Sequence, residues 1–201
     1  MRVVLASKNA HKLEEISRIT EQFGIKLVLQ SQLGVDLDVE ENGTTFEENS
    51  LIKARAVVEA TGLPALADDS GLAVDALNGE PGIYSARYGF DDSLDDRGRL
   101  ELLLKNMEAV PDGSRQAKFV CVITMITPQG QIVQARGEAN GEILHRAAGS
   151  GGFGYDPIFY YPPLGKTFGE MSSREKNAVS HRAEALKLFY QKLTEAGYAD
   201  K

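Results

Sequence analysis

Ala117-Lys118-Phe119-Val120-Cys121-Val122-Ile123-Thr124-Met125-Ile126-Thr127, then Pro128-Gln129-Gly130, then Gln131-Ile132-Val133-Gln134-Ala135-Arg136-Gly137-Glu138, decide the fold class of this chain. Residues 117–127 and 131–138 are rich in β-branched and apolar side chains. The three residues between them are turn formers, so the pair reads as two long antiparallel strands joined in a hairpin. Helical patterns lie on both sides of it, which makes the chain mixed α/β.

Toward the N-terminus, residues 2–6 read as a short buried strand. Residues 9–23 read as a helix, because Leu13, Ile16, Ile19 and Phe23 recur at helical spacing and Gly24 is a natural stop. Ile25 to Leu29 reads as a second strand, followed by a polar, acid-rich loop from Ser31 to Thr44. Thr45-Phe46-Glu47-Glu48 is a capping-box pattern, and the helix it opens ends at Gly62, before Pro64. Leu63 to Ala67 leads into Asp68-Asp69-Ser70-Gly71, read as a strand end, and Leu72-Ala73-Val74 follows. Leu77 to Asp92 reads as a structured loop and Leu94 to Met107 as a helix. Beyond the hairpin, the glycine-rich stretch from Gly149 to Pro157 precedes a short apolar strand. Ser172-Ser173-Arg174-Glu175 is a second capping box, predicted to open one long helix to about Ala196. No repeat, low-complexity tract or linker interrupts this order. We therefore expect a single domain over 1–201, with the N- and C-terminal parts in one lobe and the hairpin, about 117–138, in another.

Charge and composition narrow the function. Lys and Arg number 22 against 29 Asp and Glu, a net charge of -7. That disfavours a general nucleic-acid binder, which needs a basic surface. A small anionic ligand, held by a local cationic cluster or through a divalent cation, stays open. No apolar run approaches the roughly 18–20 residues of a membrane span, and the N-terminus lacks a signal-peptide pattern. A cytoplasmic protein with no membrane association is expected. Cys121, the one cysteine, lies in an apolar run and reads as a buried, inert thiol.

Three helices carry polar residues on their apolar faces. At about 100° per position, Asn49 and Lys53 share the face of Phe46, Ala56, Val57 and Ala60. Arg182 falls in the stripe of Ala178, Ala185, Leu186, Phe189 and Leu193. Lys12 lies on the side of Ile16, Ile19 and Phe23. A buried unpaired charge costs several kcal/mol, so each cation needs an acid partner or must reach a polar cleft. Pairing and snorkelling are the alternatives for each one singly.

Several segments have the chemistry of a phosphate site. Ser7-Lys8-Asn9-Ala10-His11-Lys12 opens the first helix, where backbone N–H groups and the helix dipole favour phosphate. It lacks the Gly-rich cradle of a Walker A loop, and a plain strand–helix turn is the alternative. Asp68 and Asp69 offer hard oxygen ligands of the kind Mg²⁺ takes, with Glu40 or Glu41 as a second source. Neighbouring strand residues point to opposite faces, so the two aspartates need not share one site. Phe153 and Tyr155, beside Gly151, Gly152 and Gly154, can stack on a base. Ser180-His181-Arg182 supplies donors for a base edge or a phosphate oxygen.

Together these segments resemble the inosine triphosphate pyrophosphatase family, the non-canonical purine NTP or dITP/XTP pyrophosphatases. The matching pieces are Ser7 to Lys12, Thr45-Phe46-Glu47-Glu48-Asn49, and Leu66-Ala67-Asp68-Asp69-Ser70-Gly71-Leu72. They continue with Pro81-Gly82-Ile83-Tyr84-Ser85-Ala86-Arg87-Tyr88, Gly151 to Pro157, and Ser180-His181-Arg182. They occur in order along nearly the whole chain. The resemblance implies a long mixed sheet with flanking helices, two lobes around a central cleft, a homodimer and Mg²⁺ dependence. It implies hydrolysis of ITP, dITP and XTP to nucleoside monophosphate and pyrophosphate, which cleanses the nucleotide pool. Carried over by position, Asp69 is the general base and a metal ligand, with Glu41 a further ligand. Ser7, Lys8, Asn9, Ala10, His11, Lys12 and Lys53 hold the triphosphate. Ser70, Phe153, Gly154, Tyr155, Asp156, Lys176, His181 and Arg182 bind substrate, the last two near the base. Ser7 stands where the family more often has Thr, and the hydroxyl is kept. Rival readings are a non-catalytic purine nucleotide sensor, an aspartyl-phosphate phosphatase and an RNA-binding module.

Overall fold

A computed structural model describes residues 2–91 and 93–198. Met1, Asp92 and residues 199–201 lie outside the described residues, and with Asp92 the last position of the loop read over 77–92. The element order is β1 (Arg2–Leu5), α1 (Ala10–Thr20), β2 (Lys26–Leu29), α2 (Phe46–Thr61), β3 (Ala65–Val74) and α3 (Asp96–Asn106). It continues with β4 (Gln116–Ile126), β5 (Ile132–Ile143), β6 (Phe159–Tyr161), β7 (Lys166–Thr167), α4 (Ser173–Val179) and α5 (His181–Glu195).

The strands form one mixed seven-stranded sheet in the order β2-β1-β3-β4-β5-β6-β7. β1 pairs parallel with β2, Val3 opposite Leu27, and parallel with β3, Leu5 opposite Leu66. Parallel neighbours need long crossovers, and α1 and α2 supply them. β4 and β5 make the expected hairpin, its turn closed by the Thr127 N–H donating to the Gln131 carbonyl at 3.0 Å. β6 and β7 extend the sheet antiparallel.

Alternation along the strands sorts side chains between two apolar clusters. Val3 and Leu5 of β1, Leu66 of β3, and Cys121, Ile123 and Met125 of β4 join Ile16 and Ile19 of α1 and Ala185, Leu186, Phe189 and Leu193 of α5. Val4, Ala65, Ala67 and Ile126 instead join Ala54 and Val57 of α2. Successive strand residues point to opposite faces, so α1 and α5 cover one face here and α2 covers the other. α5 lies directly on β5: a Cβ at Gly137 would sit 2.2 Å from the Ala185 nitrogen and 2.3 Å from the His181 carbonyl oxygen.

Three expectations change. Asp68-Asp69-Ser70-Gly71 is not a strand end but the middle of the unbroken strand β3. Both acids find cations across the sheet faces, and that pairing outweighs the turn preference of Asp, Ser and Gly. The single C-terminal helix is two, because Ser180 is extended (φ -73°, ψ 156°) and its N–H caps the Lys176 carbonyl at 2.8 Å. Ala178 therefore sits exposed on α4 and leaves the stripe of Ala185 to Leu193. On α2, Ala54 is in the core and Ala60 is exposed.

The chain divides into two compact units. One comprises the segment through Asp69, Cys121–Gly137 and the segment from His181 onward; the other comprises Ser70–Val120 and Glu138–Ser180. The hairpin thus contributes to both. The second unit has its own core, in which Leu72, Leu103, Met107, Phe159 and Phe168 are fully buried. A buried guanidinium holds that unit's loops. Arg115 donates to the carbonyls of Ile143 (2.7 Å), Met107 (2.8 Å), Val110 (2.9 Å) and Leu144 (3.2 Å). Arg115→Met removes every one of those donors and is expected to cost about 3 kcal/mol. Thermal unfolding should show Tm lower by about 6–12 °C; an unchanged Tm would mean the carbonyls find other partners. Among the described residues no helix is long and apolar enough to cross a membrane.

Candidate active site

The parity of β3 sends its two aspartates to different faces. Asp68 follows Leu66 toward α1 and α5, whereas Asp69 follows Ala65 and Ala67 toward α2. Asp68 is fully buried and meets Lys12 of α1, whose Nζ lies 2.5 Å from Oδ1. Its Oδ2 accepts from Arg182 Nε of α5 and from Cys121 Sγ of β4, each at 3.0 Å. Arg182 also pairs with Glu15 of α1. Burial pushes the Asp68 carboxyl up, but Arg182, then Lys12 and the Cys121 thiol outweigh it and hold the group well below the usual carboxylate range. Asp68 is therefore held as an anion that anchors two cations.

Asp69 is placed differently. Its Oδ1 lies 2.7 Å from Lys53 Nζ, and the same ammonium lies 2.6 Å from Glu41 Oε1 and donates to the Asp68 carbonyl at 2.8 Å. The Asp69 Oδ2 atom is buried and has no hydrogen-bond partner among the described residues. Burial pushes the Asp69 carboxyl up, and the opposing pull of Lys53 and Lys12 does not cancel it. Lys53 itself is raised: burial lowers it, but Asp69 and Glu41 more than compensate. A carboxylate with a free buried oxygen and a raised proton affinity has the properties of a general base.

The turn before α1 is a capped helix start. Asn9 Oδ1 accepts the Lys12 N–H at 3.0 Å, and Ser7 Oγ accepts the Asn9 N–H at 3.2 Å. Lys8, Asn9, Ala10 and His11 are exposed, with Lys8 Nζ 2.8 Å from Asp36. The helical-face reading of Lys12, Asn49, Lys53 and Arg182 thus corresponds to real burial, and for the three cations to acid partners. Glu15 and Cys121 escaped that reading. Glu15 lies three residues after Lys12 on the same face of α1, so the same spacing argument reaches it. Cys121 is the buried thiol expected, but not an apolar one. Burial, and then Asp68, push its thiol well above the ordinary cysteine range. Native protein should leave Ellman's reagent unreacted until denaturant is added; rapid reaction without denaturant would contradict the burial.

The second unit holds the remaining candidates except His181. Asp156 Oδ2 accepts the Phe153 N–H at 2.8 Å and lies 2.6 Å from Lys176 Nζ. Lys176 Nζ in turn sits 4.8 Å from the Phe153 ring centroid. Gly152 is required there, since its φ is +71° and a Cβ would lie 2.0 Å from Asp156 Oδ2. Tyr155 is buried and its hydroxyl donates to the Ser85 carbonyl at 2.9 Å; burial pushes that hydroxyl well above its ordinary range. Tyr155 is thus committed to the fold, leaving Phe153 as the half-buried ring of this loop. The Gly154 N–H donates to Asp96 of α3 at 3.2 Å. Ser70 follows Asp69 on β3 and is half-buried, and His181, at the start of α5, is buried.

No group of three or more His, Cys, Asp or Glu side chains gathers in a metal-binding arrangement among the described residues. Asp69 and Glu41, both on Lys53, form a pair instead. Mg²⁺ usually takes one or two carboxylates and fills its shell with water and phosphate oxygens. The unpartnered Asp69 oxygen and a pair of this size fit that ion.

A sheet of this order, with acids on β3 facing cations on α1, α2 and α5, has relatives. The family model described as Ham1 family matches residues 3–192. The chain belongs to the Ham1 family. Among Ham1 relatives, the dITP/XTP pyrophosphatase of Erwinia tasmaniensis is 53% identical over 188 residues, covering 92% of this chain and 91% of that protein. The dITP/XTP pyrophosphatase of Photorhabdus laumondii is 49% identical over 201 residues, covering 97% and 99%. The solved structure of a HAM1 protein from Coxiella burnetii superposes with a TM-score of 0.88 at 43% identity, covering 97% of this chain and 99% of that one. The mixed α/β fold read from the hairpin and its flanking helices is therefore the Ham1 fold.

Proposed function

We propose that this Ham1 protein is a nucleoside-triphosphate pyrophosphatase, hydrolysing ITP, dITP and XTP to the monophosphate and pyrophosphate with Mg²⁺. The observation that carries the reading is Asp69: a buried carboxylate with one oxygen on Lys53, the other unpartnered, and a raised proton affinity. The relatives named as dITP/XTP pyrophosphatases over nearly the full length support it.

In this reading Lys12, Lys53 and the N–H groups at the start of α1 carry the phosphates, with Ser7 to His11 lining that turn. Asp69 takes the proton of a water that attacks the α-phosphorus, and pyrophosphate leaves onto Lys12 and Lys53. Asp69 and Glu41 would hold Mg²⁺, which would supply charge neutralisation of the phosphate oxygens. Ser70, Phe153, Gly154, Asp156, Lys176 and His181 bind the substrate, Phe153 as the ring able to stack on the base, while Tyr155 holds their loop through the Ser85 carbonyl. A donor meeting the 6-oxo group of hypoxanthine or xanthine would be left unpaired by the 6-amino group of adenine, at a cost of about 1–3 kcal/mol per buried group. Arg182 acts through Asp68, which it holds in place. The protein works as a cytoplasmic homodimer, which sedimentation equilibrium tests independently of activity.

The test is product analysis with dITP, XTP, dGTP and dATP in Mg²⁺. Pyrophosphate as first product, with dITP and XTP favoured, is the expected result. Orthophosphate first, or equal rates on all four, would sink the reading. Nucleotide binding with no turnover would make the protein a sensor instead.

A further inference from the structure

Asn49 occupies the first turn of α2 and is 0% exposed. Its Oδ1 accepts the Gly43 N–H at 2.8 Å, while its Nδ2 is buried without a hydrogen-bond partner among the described residues. A buried donor left unmet is destabilising, and Asn has low helix propensity. Packing alone does not account for this side chain. Gly43 is fitted to it. A Cβ at Gly43 would lie 2.7 Å from Asn49 Oδ1 and 2.7 Å from the Glu48 Cβ, so only glycine permits the loop to come this close.

The loop clamped in this way carries Glu41, two residues upstream. Glu48 adds an outer clamp, its Oε2 accepting from the Thr44 N–H (2.6 Å) and from the Thr44 hydroxyl (2.8 Å), but that pair is exposed to water. Lys53, one helical turn after Asn49, grips the Glu41 carboxylate itself at 2.6 Å. The two contacts differ in kind. A divalent cation on Glu41 and Asp69 competes with Lys53 for the same two carboxylates. It does not compete with Asn49, which holds backbone. Asn49 is thus the buried contact able to keep the Glu41 loop in place whether or not a cation is bound.

We infer that Asn49 is a positioning residue for divalent-cation binding, setting Glu41 against Asp69 through the Gly43 N–H. The inference rests on the reading of Glu41 and Asp69 as the metal pair. Outer partners of metal ligands typically govern affinity by 10–100-fold. The experiment titrates nucleotide-free protein with Mn²⁺, followed by the electron paramagnetic resonance of the free ion, for wild type, Glu41→Gln, Asn49→Ala and Gly43→Ala. Glu41→Gln is expected to lose most binding. Asn49→Ala and Gly43→Ala are expected to weaken it about ten-fold, and to raise the Mg²⁺ concentration for half-maximal turnover while kcat at saturating Mg²⁺ stays near wild type. If Glu41→Gln binds Mn²⁺ like wild type, the metal pair is wrong and the inference falls with it. If Glu41→Gln loses binding but Asn49→Ala and Gly43→Ala do not, the metal pair stands and the role of Asn49 is overturned. A lowered Tm with unchanged Mn²⁺ affinity overturns it equally. Should Asn49→Ala fail to fold, Gly43→Ala decides, because it retains Asn49 and every other side chain.

Discussion

Asp69→Asn is expected to lower turnover of dITP by about 10³-fold or more while leaving Tm unchanged or raised. A positioned general base contributes about 10²–10⁴ to rate, and this one is also proposed to hold the metal. The amide is nearly isosteric, so β3 and its neighbours are not disturbed. The stability half of the expectation follows from burial. The carboxyl's proton affinity is raised in the folded state because burial outweighs the help of Lys53 and Lys12. A carboxylate whose folded pKa lies above its unfolded value is a net cost to the fold once ionised. Removing the charge relieves that cost, and Lys53 keeps Glu41 and the Asp68 carbonyl as partners. Single-turnover kinetics and calorimetry on the same preparation check both halves. An active Asp69→Asn protein would end the assignment, and a clear drop in Tm would refute the account of its burial.

Asp68→Asn, one residue away, is expected to do the opposite to stability. Asp68 is the anion between Lys12 and Arg182, and the amide would turn an N–H toward one of them. Losing one member of a buried charge network typically costs about 3–5 kcal/mol, or a Tm lowered by about 10 °C at 2–4 °C per kcal/mol for a chain of this size. Glu15 still compensates Arg182 in part, so unfolding need not be complete. The pH dependence has a definite sign. The folded pKa of Asp68 lies well below an unfolded value near 3.9. Its stabilisation is therefore fully present above that value and is lost as pH falls below about 4 toward the folded pKa. The gap in Tm between wild type and variant should be widest at neutral pH and narrow in acid. A gap that stays constant from pH 7 to pH 3 would show that the charge of Asp68 is not what the network needs.

These opposite outcomes for neighbours could not be read from Asp68-Asp69 as a dipeptide. Strand alternation says only that the two point apart. Which one meets two cations and a thiol, and which keeps an oxygen free, depends on the helices on each face. α1 and α5 bring Lys12 and Arg182 to one face, and α2 brings Lys53 to the other. Local patterns did reveal that those three cations were out of place on their helices, since a 3.6-residue period is a property of the chain. The hairpin, the N-terminal strands and helices, the Thr45 N-cap and the Ser172 capping box were legible for the same reason, although Glu48 reaches back to the Thr44 N–H and not to that of Thr45.

What local pattern misjudged was set by long-range contact. Asp-Asp-Ser-Gly suits a turn, yet it runs as strand, its acids paired with cations on the helices that cover the two sheet faces. The last helix breaks at Ser180, within a sequence whose periodicity continues through it. Tyr155 looked like a stacking ring beside Phe153, but its hydroxyl is spent on the Ser85 carbonyl. The amino-acid order alone settled the fold class, the acid-rich loop, the positions of the misplaced cations and the family resemblance. These rest on periodicity, capping and motif order, which are local or simply countable. The protonation tendencies of Asp68 and Asp69, the Arg182–Glu15 pair and the Asn49–Gly43 clamp were decided by tertiary structure. They depend on burial and on distances between residues far apart in the chain, which no local pattern encodes.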